Sequence, residues 1–192
     1  MLDGWIRGGP ARRLRERAIR YAVNGWPVAP LVVPRLGRCP CGRGCVDPHL
    51  AGEAVRDGAR AEVVWRERPW EIALLAEGFE VLDVPPEYGA LLNQQLKATC
   101  PTAMAPVGRR WWFFLVPGSM EPERVARAGG VLHSASPAAG PRAAAGAGTA
   151  VGWVAAPGTV LESTGRIRWL VHPYLTRWQP YQRRDAVDQV FL

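Results

Sequence analysis

The sequence predicts an α+β fold, with a mixed, largely antiparallel β-sheet packed with helices. Three observations carry this expectation. Short apolar, strand-like runs alternate with amphipathic helical stretches. The strict βαβ rhythm of a parallel sheet is missing, and neighbouring strands flanked by turn residues read as hairpin-like pairs. A chain of 192 residues, 48% hydrophobic and only 21% charged, has the means to build a core and is not of a disordered type.

The elements follow in order. Residues 12–24 form a helix with Leu14, Ala18, Tyr21 and Ala22 on one face and arginines on the other, closed by Gly25. Trp26 to Val33 is a short buried strand whose prolines place it at a sheet edge. Residues 39–57 are a polar Gly- and Cys-rich loop, and residues 61–68 a short helix stopped by Pro69. Glu71–Leu75 and Phe79–Val84 are strands joined by a turn at Glu77-Gly78. Pro86–Ala98 is a helix opened by its prolines, with Tyr88, Leu91, Leu92 and Leu96 recurring on one side.

Residues 103–106 and 111–116 are strands, and residues 121–128 a helix closed by Gly129-Gly130. Ser134–Ala150 holds eight Ala, three Gly and two Pro, a composition that reads as a flexible surface insertion. Gly152–Ala156 and Arg166–Val171 are two further strands joined through Pro157-Gly158, and residues 185–192 a final short helix.

The net charge is +7, and Lys97 is the sole lysine among 24 basic residues. Such a balance favours nucleic acid or nucleotide as partner. The longest uncharged stretch, 143–161, is broken by glycines and a proline, and the N-terminus carries charges where a signal peptide needs an apolar run. The expectation is a cytoplasmic protein without a membrane span, its four cysteines being thiols or metal ligands rather than disulfides.

The succession of motifs is more specific than any one of them. Residues 18–30, AIRYAVNGWPVAP, are followed by Cys39-Pro-Cys41 to Cys45, Val64-Trp65 to Pro69, Phe79-Glu-Val-Leu-Asp-Val84, Gly108-Arg-Arg-Trp-Trp-Phe-Phe114 and Trp153-Val-Ala-Ala-Pro-Gly-Thr159. This order resembles the N-terminal domain of bifunctional DNA primase/polymerases (prim-pol), of the archaeo-eukaryotic primase superfamily. The resemblance covers about residues 14–175 and implies a single prim-pol-like domain over 1–192 with an RRM-related core. It also implies a two-metal polymerase site: an Asp-x-Asp/Glu pair and a later acid hold Mg²⁺ or Mn²⁺, while a histidine contacts the incoming nucleotide's phosphates.

This chain departs from that pattern. Asp83 matches the first acid, but Pro85 stands at the second; Arg110 stands where the histidine belongs, and residues 131–154 contain no Asp or Glu. Glu87, four positions past Asp83, is the nearest substitute. The expectation is therefore a degenerate member that binds nucleotide or nucleic acid in DNA replication, repair or regulation. An active template-dependent DNA primase/polymerase with a rearranged acidic set, and a scaffold or partner-binding module, are the alternatives.

The candidate site residues carry competing readings. Asp83 is a remnant of the metal-binding acids or the cap of the following helix. Arg109 and Arg110 are phosphate contacts or solvated arginines. Trp111 and Trp112 alternate faces, so that one is core and the other, Trp112, offers a base-stacking surface. Thr159, at the end of the last motif, joins them as a nucleotide- or nucleic-acid-binding residue by the resemblance. Cys39, Cys41, Cys45 and His49 supply four ligands within eleven residues, a set suited to structural zinc, against a mobile loop with free thiols. Cys100 reads as a buried small residue, and His133 and His172 as residues without a recognisable partner. The arginines from 12 to 20 form a solvated helix face, with a nucleic-acid patch as the alternative.

Overall fold

A computed structural model of the protein describes residues 9–36, 38–135 and 152–191. Helix α1 (Pro10–Val23) starts on proline, whose fixed φ suits a first helical turn, and buries Ala18, Tyr21 and Ala22. It ends where Gly25 takes a left-handed φ of 77°. Strand β1 (Val28–Val32) is buried at every position. It lies inside, not at the edge of, an antiparallel sheet completed by β2 (His49–Leu50), β3 (Glu71–Leu75) and β8 (Trp153–Ala155), in the order β2-β1-β3-β8.

The expected edge position is corrected by the register. Pro30 pairs with Ile72 on the β3 side, and its carbonyl accepts from the Ala51 N–H at 2.9 Å on the other. The N–H that proline lacks would have faced that second side, where β2 pairs through only two residues. The ladder thus loses one bond at its shortest neighbour.

The second sheet contains β4 (Glu80–Val84), β5 (Thr102–Ala105), β6 (Arg110–Leu115), β7 (Val131–His133) and β11 (Arg168–Val171), in the order β11-β5-β6-β4-β7. A separate ribbon joins β9 (Val160–Leu161) to β10 (Gly165–Arg166). Every ladder among the described residues is antiparallel, and the class is α+β.

Of the consecutive strands, β5 and β6 pair as an antiparallel hairpin, whereas two other expected pairs do not form. β3 and β4, neighbours across Glu77-Gly78, belong to different sheets, as do β8 and β11. Both edges of β3 are taken by β1 and β8, and both edges of β4 by β6 and β7, so neither can pair with the other.

The five-stranded sheet is the middle layer. One face, with Leu82, Val84, Phe113 and Leu115, packs against α3 (Pro86–Leu96), α4 (Pro122–Arg127) and α5 (Arg184–Asp188). The other face, with Val81, Ala103, Ala105, Trp112 and Phe114, meets the four-stranded sheet, α1 and α2 (Gly58–Glu67). The carboxylate of Asp57 caps α2 by accepting from the Arg60 N–H at 2.8 Å. Trp26 sits where these layers meet, its ring centroid 4.8 Å from Phe79, 4.9 Å from Phe114 and 6.1 Å from Trp169. Residues 136–150 of the expected insertion lie outside the described residues.

Candidate functional site

Strand alternation sets the site around Asp83. Side chains on β4 point to opposite faces in turn, so Val81 and Asp83 share the face turned toward the four-stranded sheet. Asp83 pairs with Trp112 of β6 and Val131 of β7. Arg110 and His133, two residues along each neighbouring strand, therefore fall on the same face as Asp83.

The geometry is a clasp. Arg110 Nε donates to Asp83 Oδ1 at 2.6 Å, Nη2 to the Asp83 carbonyl at 3.0 Å, and Nη1 to the Gly129 carbonyl at 3.0 Å. His133 Nε2 lies 3.9 Å from Asp83 Oδ2. The side chains are only 26% and 17% exposed for Arg110 and Asp83, which sets this pair apart from a solvent-screened surface bridge. Three of the five guanidinium N–H donors are used within the protein.

This donor set does not fit a divalent ion pair. Mg²⁺ calls for several oxygen ligands in near-octahedral array. Here one carboxylate is present, one of its oxygens is held by a guanidinium, and Pro85 occupies the second acid position. Among the described residues no third His, Cys, Asp or Glu joins Asp83 and His133 to make a metal-binding group. Glu87 sits exposed in the first turn of α3. The positive charge that a metal would bring is supplied by Arg110.

A second cluster lies in the loop after β1. Cys39, Cys41, Cys45 and His49 each offer one ligand atom, and these atoms all lie within 4.8 Å of one another. The Sγ atoms of Cys39 and Cys41 are 3.0 Å apart, and those of Cys41 and Cys45 3.5 Å. His49 is brought in from β2 by its pairing with Val32. The hydrogen bond from Cys39 and the Arg43 N–H pull the Cys41 thiol down to about 6, while its neighbour Cys41 pushes Cys45 up to about 11. Three thiols and an imidazole at this separation can close around one metal ion. Cys100 stands apart, buried, its thiol raised to about 12 by desolvation.

The family model for the N-terminal domain of bifunctional DNA primase/polymerases matches residues 18–184. The chain belongs to this family. No curated protein and no solved structure gives a significant match. It is thus a DNA primase/polymerase-like domain, and among the described residues no helix is long and apolar enough to cross a membrane.

Against the prim-pol pattern, the structure sorts the candidate residues. Asp83 lies on β4 and does not cap α3, whose N-cap position is Pro85. Arg110 turns inward onto Asp83, while Arg109 is exposed at the end of a one-turn 3₁₀ segment. Trp112 is corrected as a stacking surface: only 5% exposed, it belongs to the core, and its Nε1 has no hydrogen-bond partner. Thr159 is corrected likewise. It is fully buried, and its hydroxyl donates to Glu71 Oε2 at 3.2 Å, tying the Ala-Pro-Gly-Thr turn to β3. His133 gains a neighbour that the sequence reading missed, because three-residue β7 is too short to show a period.

Proposed function

We propose that this prim-pol domain performs no nucleotidyl transfer and binds nucleotide or nucleic acid in DNA replication, repair or regulation. The observation that carries the reading is the Arg110–Asp83 clasp with Pro85 at the neighbouring acid position. Phosphoryl transfer by two metals needs carboxylates that bridge the ions, orient the attacking hydroxyl and stabilise the leaving group. A single carboxylate neutralised by a guanidinium offers none of this. Family membership and the net charge of +7 support a phosphate-bearing ligand.

The test is primer synthesis and primer extension on single-stranded DNA templates, with deoxy- and ribonucleotides and either Mg²⁺ or Mn²⁺. No incorporation is expected. Robust incorporation that Asp83→Ala abolishes would overturn the proposal.

The cysteine cluster is proposed to hold one structural zinc ion, with Cys39, Cys41, Cys45 and His49 as ligands. The thiolates of Cys39, Cys41 and Cys45 and the imidazole of His49 would hold such an ion, and it would pin a loop whose Val46 is exposed. Elemental analysis of protein purified without chelator is expected to give about one zinc per chain, falling to a small fraction in Cys41→Ser/Cys45→Ser. A wild-type content far below stoichiometric defeats this assignment.

A further inference from the structure

A groove of about 390 Å³ opens between α1 and strands β10 and β11, near the β11 edge of the five-stranded sheet. Arg13, Arg17 and Arg20 line one wall, spaced i, i+4 and i+7 along α1. Arg166 of β10 and Arg168 of β11 line the other. Its one acid, Glu16, is held by Arg12, whose Nε donates to Oε1 at 2.6 Å. Five guanidiniums thus face one already paired carboxylate.

The turn at Pro157-Gly158 organises the cations. Arg17 Nη1 donates to the Pro157 carbonyl and Arg166 Nη1 to the Gly158 carbonyl, each at 3.3 Å, so one turn fixes an arginine from each wall. Gly158 has φ of 105°, and a Cβ there would lie 2.1 Å from Arg17 Nη1. The backbone conformation therefore favours glycine, and a side chain there would displace the Arg17 guanidinium from the turn. Each of these guanidiniums keeps further N–H donors beyond the one the turn takes up.

Between the walls lie half-buried aromatic rings. Trp169, anchored by its Nε1 donating to Tyr21 Oη at 3.1 Å, stands 5.7 Å from the His172 ring, which stands 5.8 Å from Trp178. His172 Nδ1 accepts from the Tyr174 N–H, and burial, with the Arg20 charge beside it, holds the ring's pKa below the usual imidazole value. Cations flanking partly open indole faces are the two components that single-strand binding combines.

We propose that this groove is the track for a single strand of nucleic acid, its phosphates on the arginines and a base against the aromatic floor. The inference rests on the reading of the chain as a nucleic-acid-binding domain and assigns the place. A strand is favoured over a free nucleotide because α1 spreads its arginines from 13 to 20, about 10 Å at 1.5 Å per residue, which suits successive phosphates. It is also distinct from the Asp83 site: the register Asp83–Trp112–Ala103–Trp169 crosses three strand spacings, roughly 14 Å, with buried Trp112 between.

The test is fluorescence anisotropy of labelled oligo-dT in EDTA at low salt. Arg20 and Arg168 are exposed, so Arg20→Ala/Arg168→Ala should keep the fold, checked by circular dichroism. This variant is expected to bind at least about tenfold more weakly, and its log–log salt slope to flatten by about 1.4, at roughly 0.7 per phosphate contact. Arg20→Lys/Arg168→Lys should recover part of the loss. Arg60→Ala/Arg127→Ala removes the same charge at exposed positions elsewhere and should change affinity little. Equal weakening by that pair, an unchanged affinity in Arg20→Ala/Arg168→Ala, or binding of free nucleotide but not oligo-dT would each overturn the inference. These outcomes are separable from the proposed lack of catalysis, since nucleotide incorporation could appear or fail with the groove intact.

Discussion

Replacing Trp26 by alanine is expected to lower the free energy of unfolding by about 3–5 kcal/mol, the range for emptying a large aromatic site in a close-packed core. Trp26 is 2% exposed, and its ring meets Phe79 and Phe114 at tilted angles and the edges of Trp169 and Trp178. Its Nε1 donates to the Trp178 carbonyl at 2.8 Å, so truncation also removes the partner of a partly buried acceptor. Phe79 precedes β4, Phe114 lies on β6 and Trp169 on β11. One side chain therefore links the helical layer to three segments of the five-stranded sheet. Native domains hold only about 5–15 kcal/mol, so a loss of this size brings the alanine variant close to unfolding, and a milder variant is measured beside it. Trp26→Phe, which keeps most of the volume and loses the hydrogen bond, should cost about 1–3 kcal/mol. Urea unfolding with unchanged m-value reads both; a loss below about 1 kcal/mol for Trp26→Ala would show that the layers do not meet through this ring.

The parts of this fold that were legible in the sequence are those set by local chemistry. Helix α1 announced itself through the spacing of Leu14, Ala18, Tyr21 and Ala22 and through Gly25, and strand β6 through its apolar run between Gly108 and Pro117. Sheet membership was not legible. The pairing of Ala73 with Ala155 and of Asp83 with Trp112 is a choice between distant partners, and a turn such as Glu77-Gly78 says only that the chain bends. Pro30 misled for a related reason, because its missing N–H is harmless when the neighbouring strand is two residues long.

The site divides in the same way. Pro85 and Arg110 could be seen as departures from the family's acidic pattern, and the cysteine spacing could be seen as a ligand set. What Arg110 does could not be seen, because it depends on the register that sets β6 beside β4. A sequence-level view left it reaching outward for phosphate; the structure turns it onto the acid. Likewise the arginines of α1 read as a solvated face until Arg166 and Arg168, from the other end of the chain, are placed across the groove from them.

The clasp predicts non-additive energetics. Asp83→Ala should leave Arg110 as a mostly withdrawn guanidinium facing two carbonyls, and Arg110→Ala should leave the Asp83 carboxylate facing only His133. Breaking a fully buried pair by removing one partner costs about 3–5 kcal/mol, and the residual exposure here lowers the expectation to about 1–3 kcal/mol for each single variant. Once one partner is gone the other is a liability, so removing it as well should cost little more. A double-mutant cycle by urea unfolding is therefore expected to give a coupling energy of about 1–2 kcal/mol. Costs that add within about 0.5 kcal/mol would mean that the two residues do not hold each other, and the assignment of Arg110 as the internal replacement for a metal would fall. The same variants address function from the other side. Releasing Asp83 by Arg110→Ala frees only one carboxylate beside Pro85, too few oxygens to hold Mg²⁺, so the variant should gain no Mg²⁺-dependent nucleotide incorporation.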